Sequence, residues 1–294
     1  MLFLGLDSGG TKTRAVALDG EGRVVGDRVY PPAYLPSQGE EGVRQVLRRI
    51  LEDLPERPSG AVLGLGGFGE ARSWDEAYRQ VAREVFGDNL RLMNDVELAW
   101  WAAFGGEDGV VIIAGTGSMA YGKGPKGTGR IGGFGPLFGD EGSAYWIGLE
   151  ALRMASKAQD GRVPPTALRG LPQLYGKGDL LELLAFLQEE PALLRFRVAA
   201  LAAEVDRLAT RDWAAQDVLL RAAQELHLMA SALAHRLGVG RVAPMGGVFR
   251  SLQVREFFTR RLTSEGLQVE SPGAEPALMA ARMAKDSFGR GEGI

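Results

Sequence analysis

Two glycine-rich turns carry the first chemistry in this sequence: Asp7-Ser8-Gly9-Gly10-Thr11-Lys12-Thr13 and Gly115-Thr116-Gly117-Ser118. Successive backbone N–H groups in such turns form concave sites for the oxygens of a phosphate. Gly9, Gly10, Thr11 and Lys12 in one turn, and Gly115, Thr116, Gly117 and Ser118 in the other, are therefore candidate phosphate-binding positions. Asp7 ends an apolar run, where a carboxylate can hold Mg2+ directly or through water, and the hydroxyls of Thr11 and Thr116 can reach phosphate oxygens. A lone turn of the first kind is more often a plain hairpin; a matched pair at corresponding points of a repeat favours the functional reading.

Three further segments hold candidates. In Met93-Asn94-Asp95 a carboxylate follows an apolar run and precedes a helix containing Glu97, Trp100 and Trp101. Strand ends in open α/β sheets face the ligand crevice, so Asp95 is a candidate general base; as an isolated residue it would serve equally well as a helix cap. The stretch Gly132 to Trp146 alternates glycines with aromatics, as a loop packed closely around something would, and then starts a helix. Gly133, Phe134, Asp140 and Glu141 are its candidate substrate contacts, with helix capping the alternative for the two acids. Pro244-Met245-Gly246-Gly247-Val248 ends another strand in paired glycines, which would admit a flat ring such as adenine or simply allow tight helix–strand packing.

The elements that must position these groups repeat. Leu2 to Leu6, Ala15 to Leu18 and the strand begun at Arg23-Val24-Val25-Gly26 read as an antiparallel meander around the first turn. Val110 to Ala114, Met119 to Tyr121 and a strand reaching Arg130-Ile131-Gly132 repeat it around the second. After each meander helices alternate with strands, the pattern of parallel strands joined by covering helices. The first half continues with a helix Glu41 to Leu54, a strand Gly60 to Gly66, a helix from Asp75 to Phe86 and a strand Leu90 to Met93. A longer helical stretch, Ser143 to Leu237, interrupted by prolines, makes the second half bulkier. It is followed by strand Arg241 to Met245, a helix around Gln253 to Leu262, a strand Leu267 to Val269 and a last helix from Glu275 to Lys285. The fold class is α/β, and Gly105-Gly106 marks a boundary between domains 1–106 and 107–294, the last helix being free to return to the first.

Composition removes several functions. A charge of -3, from 34 basic and 37 acidic residues spread along the chain, provides no basic stripe for nucleic acid. No apolar run is long enough to span a membrane, and the first residues meet Asp7 too early for a signal peptide, which points to the cytoplasm. The absence of cysteine excludes disulfides, thiolate zinc sites and iron–sulfur clusters. His227 and His235 read as surface residues of a long helix, and Trp100, Trp101 and Phe104 as core.

In this order the four segments resemble the acetate and sugar kinase, heat-shock ATPase and actin superfamily, and within it the BadF/BadG/BcrA/BcrD-type ATPases that include N-acetylglucosamine kinase. Asp7 to Thr13 is similar to the first phosphate motif, Gly115 to Ser118 to the second, Met245-Gly246-Gly247 to the adenosine motif, and Gly139 to Trp146 to the stretch most particular to the sugar kinases. The resemblance covers nearly the whole chain. It implies two ribonuclease-H-like domains, each a mixed five-stranded sheet with helices, and a cleft between them. It also implies ATP and Mg2+ as cofactors, Asp95 as base, Asp140 as a sugar-hydroxyl ligand and a homodimer acting on a small sugar, with O6 expected as the accepting hydroxyl. Departures from the family pattern fall on the acceptor side: the loop Tyr30 to Gln38 contains no Asn, Met119 stands where Asn is usual, and Phe134 where Trp is usual. The acceptor could thus be glucosamine, a muramic acid derivative or a plain hexose. Two other readings belong to the same family. One is a sugar or nucleotide sensor with weak catalysis; the other is an activator ATPase, which would need the cluster-binding cysteines this chain lacks.

Overall fold

The computed structural model describes residues 1–289. Two compact units form among the described residues: Met1–Gly106 together with 272–289, and Glu107–Ser271. Each contains one mixed five-stranded sheet, as the sequence pattern anticipated.

In the first unit β1 (Phe3–Ser8), β2 (Thr13–Leu18) and β3 (Val24–Tyr30) form the antiparallel meander, and β4 (Gly60–Leu65) and β5 (Leu90–Asn94) add parallel strands, giving the order β3-β2-β1-β4-β5. Every residue of β4 is buried, as expected of a central parallel strand covered on both faces. Alternation sorts the side chains. Leu4, Leu6 and Leu63 point to the face covered by α1 (Leu35–Glu52) and α2 (Arg72–Phe86), whose Val43, Leu47, Ile50, Val81 and Val85 complete that core. Phe3, Val16 and Val62 point the other way, toward α3 (Asp95–Phe104) and the terminal helix Pro276–Phe288. That last helix thus packs on β1 of the first unit. Gly5 makes the approach possible, because a Cβ there would lie 2.2 Å from the carbonyl of Ala277 and the amide of Ala281.

The second unit repeats the topology with β6 (Gly109–Ala114), β7 (Ser118–Gly124), β8 (Gly127–Gly132), β9 (Arg241–Met245) and β10 (Gln268–Val269) in the order β10-β9-β6-β7-β8. The long helical stretch resolves into α4 (Ala144–Gln159), a 3-10 segment Ala167–Tyr175, α5 (Leu180–Glu189), α6 (Pro191–Ala200), α7 (Ala202–Leu208) and α8 (Trp213–Leu237). Then α9 (Leu252–Ser264) precedes β10, and the terminal helix is α10. α8 lies close on the sheet because its buried face is rich in alanine and because Gly122, Gly124 and Gly129 leave room for Leu233, Arg236, Leu237 and Val239. One expectation fails here. His227 is buried rather than on the surface, its Nε2 2.7 Å from Glu265 Oε1, because the apolar stripe of α8 turns that position toward α9; His235 is exposed as expected. Trp100 and Phe104 are core residues, and Trp101 is half-buried.

Candidate functional site

The first site grows from the carboxyl ends of β1 and β5. At the end of β1 the Ser8 and Thr13 hydroxyls bond each other at 2.7 Å, and both oxygens accept the N–H of Ala33, at 3.0 and 2.9 Å. This buried clamp closes the Gly9–Lys12 turn at its base, while Thr11 and Lys12 remain exposed at its tip. Tyr78 fixes the neighbouring loops: its hydroxyl accepts the Leu35 N–H at 2.9 Å and lies 2.9 Å from the carbonyl of Gly66 and 3.3 Å from that of Ala33. Neither the clamp nor Tyr78 was evident from motif spacing, although the hydroxyls flanking the glycines were a signal in plain view for the clamp.

Asp95 opens α3, but the cap is Asn94. The Asn94 side chain accepts the Val96 N–H at 2.9 Å and donates to the carbonyl of Phe68 at 2.7 Å. Asp95 Oδ1 shares the Val96 N–H, at 2.9 Å. Its Oδ2 lies 3.6 Å from where a Gly9 Cβ would stand and 3.4 Å from the corresponding point at Gly66, so the carboxylate abuts the first turn. Burial first, and then the charge of Asp7, push the Asp95 carboxyl up to about 7, against the pull of the Val96 amide. Asp7 is pushed up to about 6, again by burial first and by repulsion from Glu275, with Lys12 and Arg14 pulling it down.

Two partly buried, mutually repelling carboxylates are a place where a divalent cation would relieve the electrostatic cost. Among the described residues no group of three or more carboxylate or imidazole ligands could enclose a metal. The donor set therefore fits a Mg2+ held by a carboxylate with water and phosphate oxygens completing its shell, and does not fit an all-protein cage.

The second turn is built differently. Gly115 N–H donates to the carbonyl of Gly117 at 2.9 Å, and Ser118 N–H donates to Asp140 Oδ1 at 3.2 Å. The Ser118 hydroxyl donates to the carbonyl of Glu141 at 2.6 Å, and Ala144 N–H to the carbonyl of Gly115 at 2.8 Å. Two of the turn's amides are thus spent inside the protein, so it is not an open nest along its whole length. The structure ties this turn to the Gly132–Ser143 loop. Asp140, buried, receives Nη2 of Arg195 on Oδ2 at 2.6 Å; Arg195 sits on α6, far away in sequence, and no motif pointed to it. Ser143, not Asp140 or Glu141, caps α4, accepting the Trp146 N–H at 3.1 Å. Glu141 is half-buried, and its charge adds to burial in pushing the Glu225 carboxyl up.

Gly133 is closely covered, its absent Cβ falling 2.1 Å from Met119 Cε, so Met119, one position where the sequence departs from the family pattern, packs on the residue just before another, Phe134. Phe134 is 61% exposed. Of the paired glycines after β9, Gly246 is explained by packing: it has φ of 103° and its Cβ would stand 2.3 Å from the carbonyl oxygen of Ala114. A Cβ on Gly247 would meet nothing within 4 Å, leaving that side open to a flat ring.

Paired sheets of one topology, each turning at a glycine-rich loop after its first strand, define the ribonuclease-H-like fold of the actin-like ATPases. The chain belongs to the BadF/BadG/BcrA/BcrD ATPase family, whose model matches residues 4–284. It is 30% identical to an N-acetyl-D-glucosamine kinase of Dictyostelium discoideum over 97% of this chain and 98% of that one. It is 28% identical to an N-acetylmuramic acid/N-acetylglucosamine kinase of Clostridium acetobutylicum, covering 80% of each chain. A solved structure from Chromobacterium violaceum, assigned as an N-acetylglucosamine kinase, superposes with a TM-score of 0.78 at 26% identity, over 96% of this chain and 98% of that one.

Proposed function

We propose that this chain is an ATP-dependent sugar kinase that transfers the γ-phosphoryl group of Mg-ATP to a hydroxyl, O6 in our reading, of an amino sugar or hexose. The relatives' activities support the class of reaction. The observation that carries the mechanism is Asp95: its cap role is taken by Asn94, and its carboxyl is raised to about 7 beside a glycine turn. A carboxylate tuned to that range accepts a proton from an alcohol more effectively than an ordinary aspartate at the same pH. In this reading Asp95 orients the acceptor hydroxyl and takes its proton as the new oxygen–phosphorus bond forms, while the bond from phosphorus to the ADP oxygen breaks. Asp7 would hold Mg2+, which when bound supplies neutralisation of the phosphate charge. In the first unit Lys12 and the Gly9–Thr11 turn would bind phosphate oxygens; in the second the Gly115–Ser118 turn would do so, with Gly246 and Gly247 bordering the adenosine. Asp140 accepts from a sugar hydroxyl, with Gly133, Phe134 and Glu141 around it.

Residues 1–106, joined by α10, would form the N-terminal ATPase domain and the remainder the larger second domain. The working form in this reading is a cytoplasmic homodimer; among the described residues no helix is long and apolar enough to cross a membrane.

Coupled ADP release from Mg-ATP, measured against N-acetylglucosamine, N-acetylmuramic acid, glucosamine, mannose and glucose, tests the reading. One of these sugars should stimulate release by orders of magnitude, and Asp95→Asn should abolish that stimulation. ADP release that no sugar raises above the acceptor-free rate would sink it in favour of a sugar or nucleotide sensor.

A further inference from the structure

Asp140 is the one non-glycine residue with a positive φ, 59°, among the described residues, a region sparsely populated by side chains bearing a Cβ. Such a conformation persists only where its surroundings over-determine it, and it clusters at ligand sites. Here the surroundings are specific. Ser143 N–H donates to the Asp140 carbonyl at 3.0 Å, Ser118 N–H donates to Oδ1, and Arg195 Nη2 donates to Oδ2. The carboxylate is 3% exposed, so without the guanidinium it would be a buried charge held by one amide.

The ion pair also leans on the turn. A Cβ at Gly117 would stand 2.6 Å from Arg195 Nη2 and 2.7 Å from Asp140 Oδ1, so guanidinium, carboxylate and turn are stacked without a gap. Arg195 engages Asp140 through a single nitrogen. Its Nε is buried with no partner, which marks a side chain placed for this one contact rather than for a two-pronged fork.

We propose that Arg195 is a positioning residue for the acceptor, holding the Asp140 carboxylate and the Gly132–Ser143 loop against the Gly115–Ser118 turn. The proposal rests on the reading of Asp140 as a ligand of the acceptor hydroxyl. Arg195 acts through Asp140, setting where and in what orientation the carboxylate meets the sugar. Because one donor makes the contact, a lysine ammonium can reproduce it in part, whereas an isosteric apolar chain cannot.

The test compares Arg195→Met and Arg195→Lys in the full chain by two readouts. The first is steady-state kinetics, titrating the acceptor at saturating Mg-ATP and Mg-ATP at saturating acceptor. We expect Arg195→Met to raise the acceptor KM by roughly tenfold to a hundredfold while the ATP KM moves by less than about threefold, with Arg195→Lys recovering much of the loss. The second readout is amide hydrogen exchange of the nucleotide-free protein. Peptides covering 115–119 and 133–143 should exchange about tenfold faster in Arg195→Met, and the rest of the chain should be unchanged. An unchanged acceptor KM alongside a lowered Tm would reduce Arg195 to a structural pair and overturn the proposal, as would equal rises in both KM values or a lysine variant no better than methionine. A wild-type chain that phosphorylates none of the sugars overturns the kinase reading by itself. In that case the exchange data decide about Arg195: local acceleration in the two peptides sustains its positioning role, and its absence refutes it.

Discussion

The two glycine turns occupy the same place in the same topology, yet they are electrostatic opposites. Around the first, Asp7 and Asp95 are forced out of water beside each other, and their carboxyls rise to about 6 and about 7. Around the second, Asp140 is buried more deeply but meets a guanidinium and an amide, and two of the turn's own amides are already spent. One turn is left wanting positive charge; the other is satisfied before any ligand arrives. A repeated backbone plan therefore does not fix the chemistry of its copies. Side chains delivered from outside the turns do, Asn94 and Asp95 in one unit and Arg195 in the other.

The largest effect that sharpens this contrast is expected from Asp95→Asn. The amide keeps the shape but cannot accept a proton, so kcat should fall about 10^2- to 10^4-fold with the ATP KM little changed, as read by coupled ADP release. If kcat drops less than about tenfold, Asp95 is not the base.

Next comes steric asymmetry. Gly117→Ala would drive a methyl into the Arg195–Asp140 pair and should cost about 1–3 kcal/mol by denaturant unfolding, whereas Gly9→Ala meets only Asp95 Oδ2 at 3.6 Å, an ordinary contact, and should cost well under about 1 kcal/mol. Equal costs would erase the distinction between an open turn and a filled one.

A third prediction concerns pH. Both carboxyls are held above their ordinary value of 3.8, so folding favours their protonated forms. That stabilisation is fully present below about pH 4 and is lost as pH rises through about 6 and about 7. In metal-free protein, Asp7→Asn should therefore raise Tm at pH 8 by a few degrees, corresponding to about 1 kcal/mol, with the gain vanishing near pH 4. Asp140→Asn should show no such gain and should lower Tm at pH 8, because its charge is paired. Comparable in size but confined to stability is Tyr78→Phe, which removes a hydroxyl buried among Leu35, Ala33 and Gly66 and should cost about 1–2 kcal/mol in thermal unfolding without altering either KM.

Much of this molecule was legible in the chain itself. The glycine turns, the hairpin at Asp19-Gly20, the switch from meander to alternating helix and strand, and Asp95 at a strand end all follow from local rules. Turn residues, side-chain periodicity and strand–helix junctions are written over a few consecutive positions. Strand and helix limits shifted by a few residues, as at α1, where Leu35-Pro36 begins the helix and Gly39 kinks it.

Other features became visible only in three dimensions, for one physical reason: they are pairings between residues distant in sequence, and no local pattern encodes a partner. The Ser8–Thr13 clamp on Ala33, Tyr78 beneath Gly66, and α10 seated on Gly5 are of this kind. So is the contact of His227, buried on α8, with Glu265. The sequence by itself determined that two like turns and a strand-end carboxylate exist. The tertiary structure alone decided which acids are paired and which are stranded, because desolvation and charge neutralisation depend on what folds over a group, not on what stands beside it in the chain.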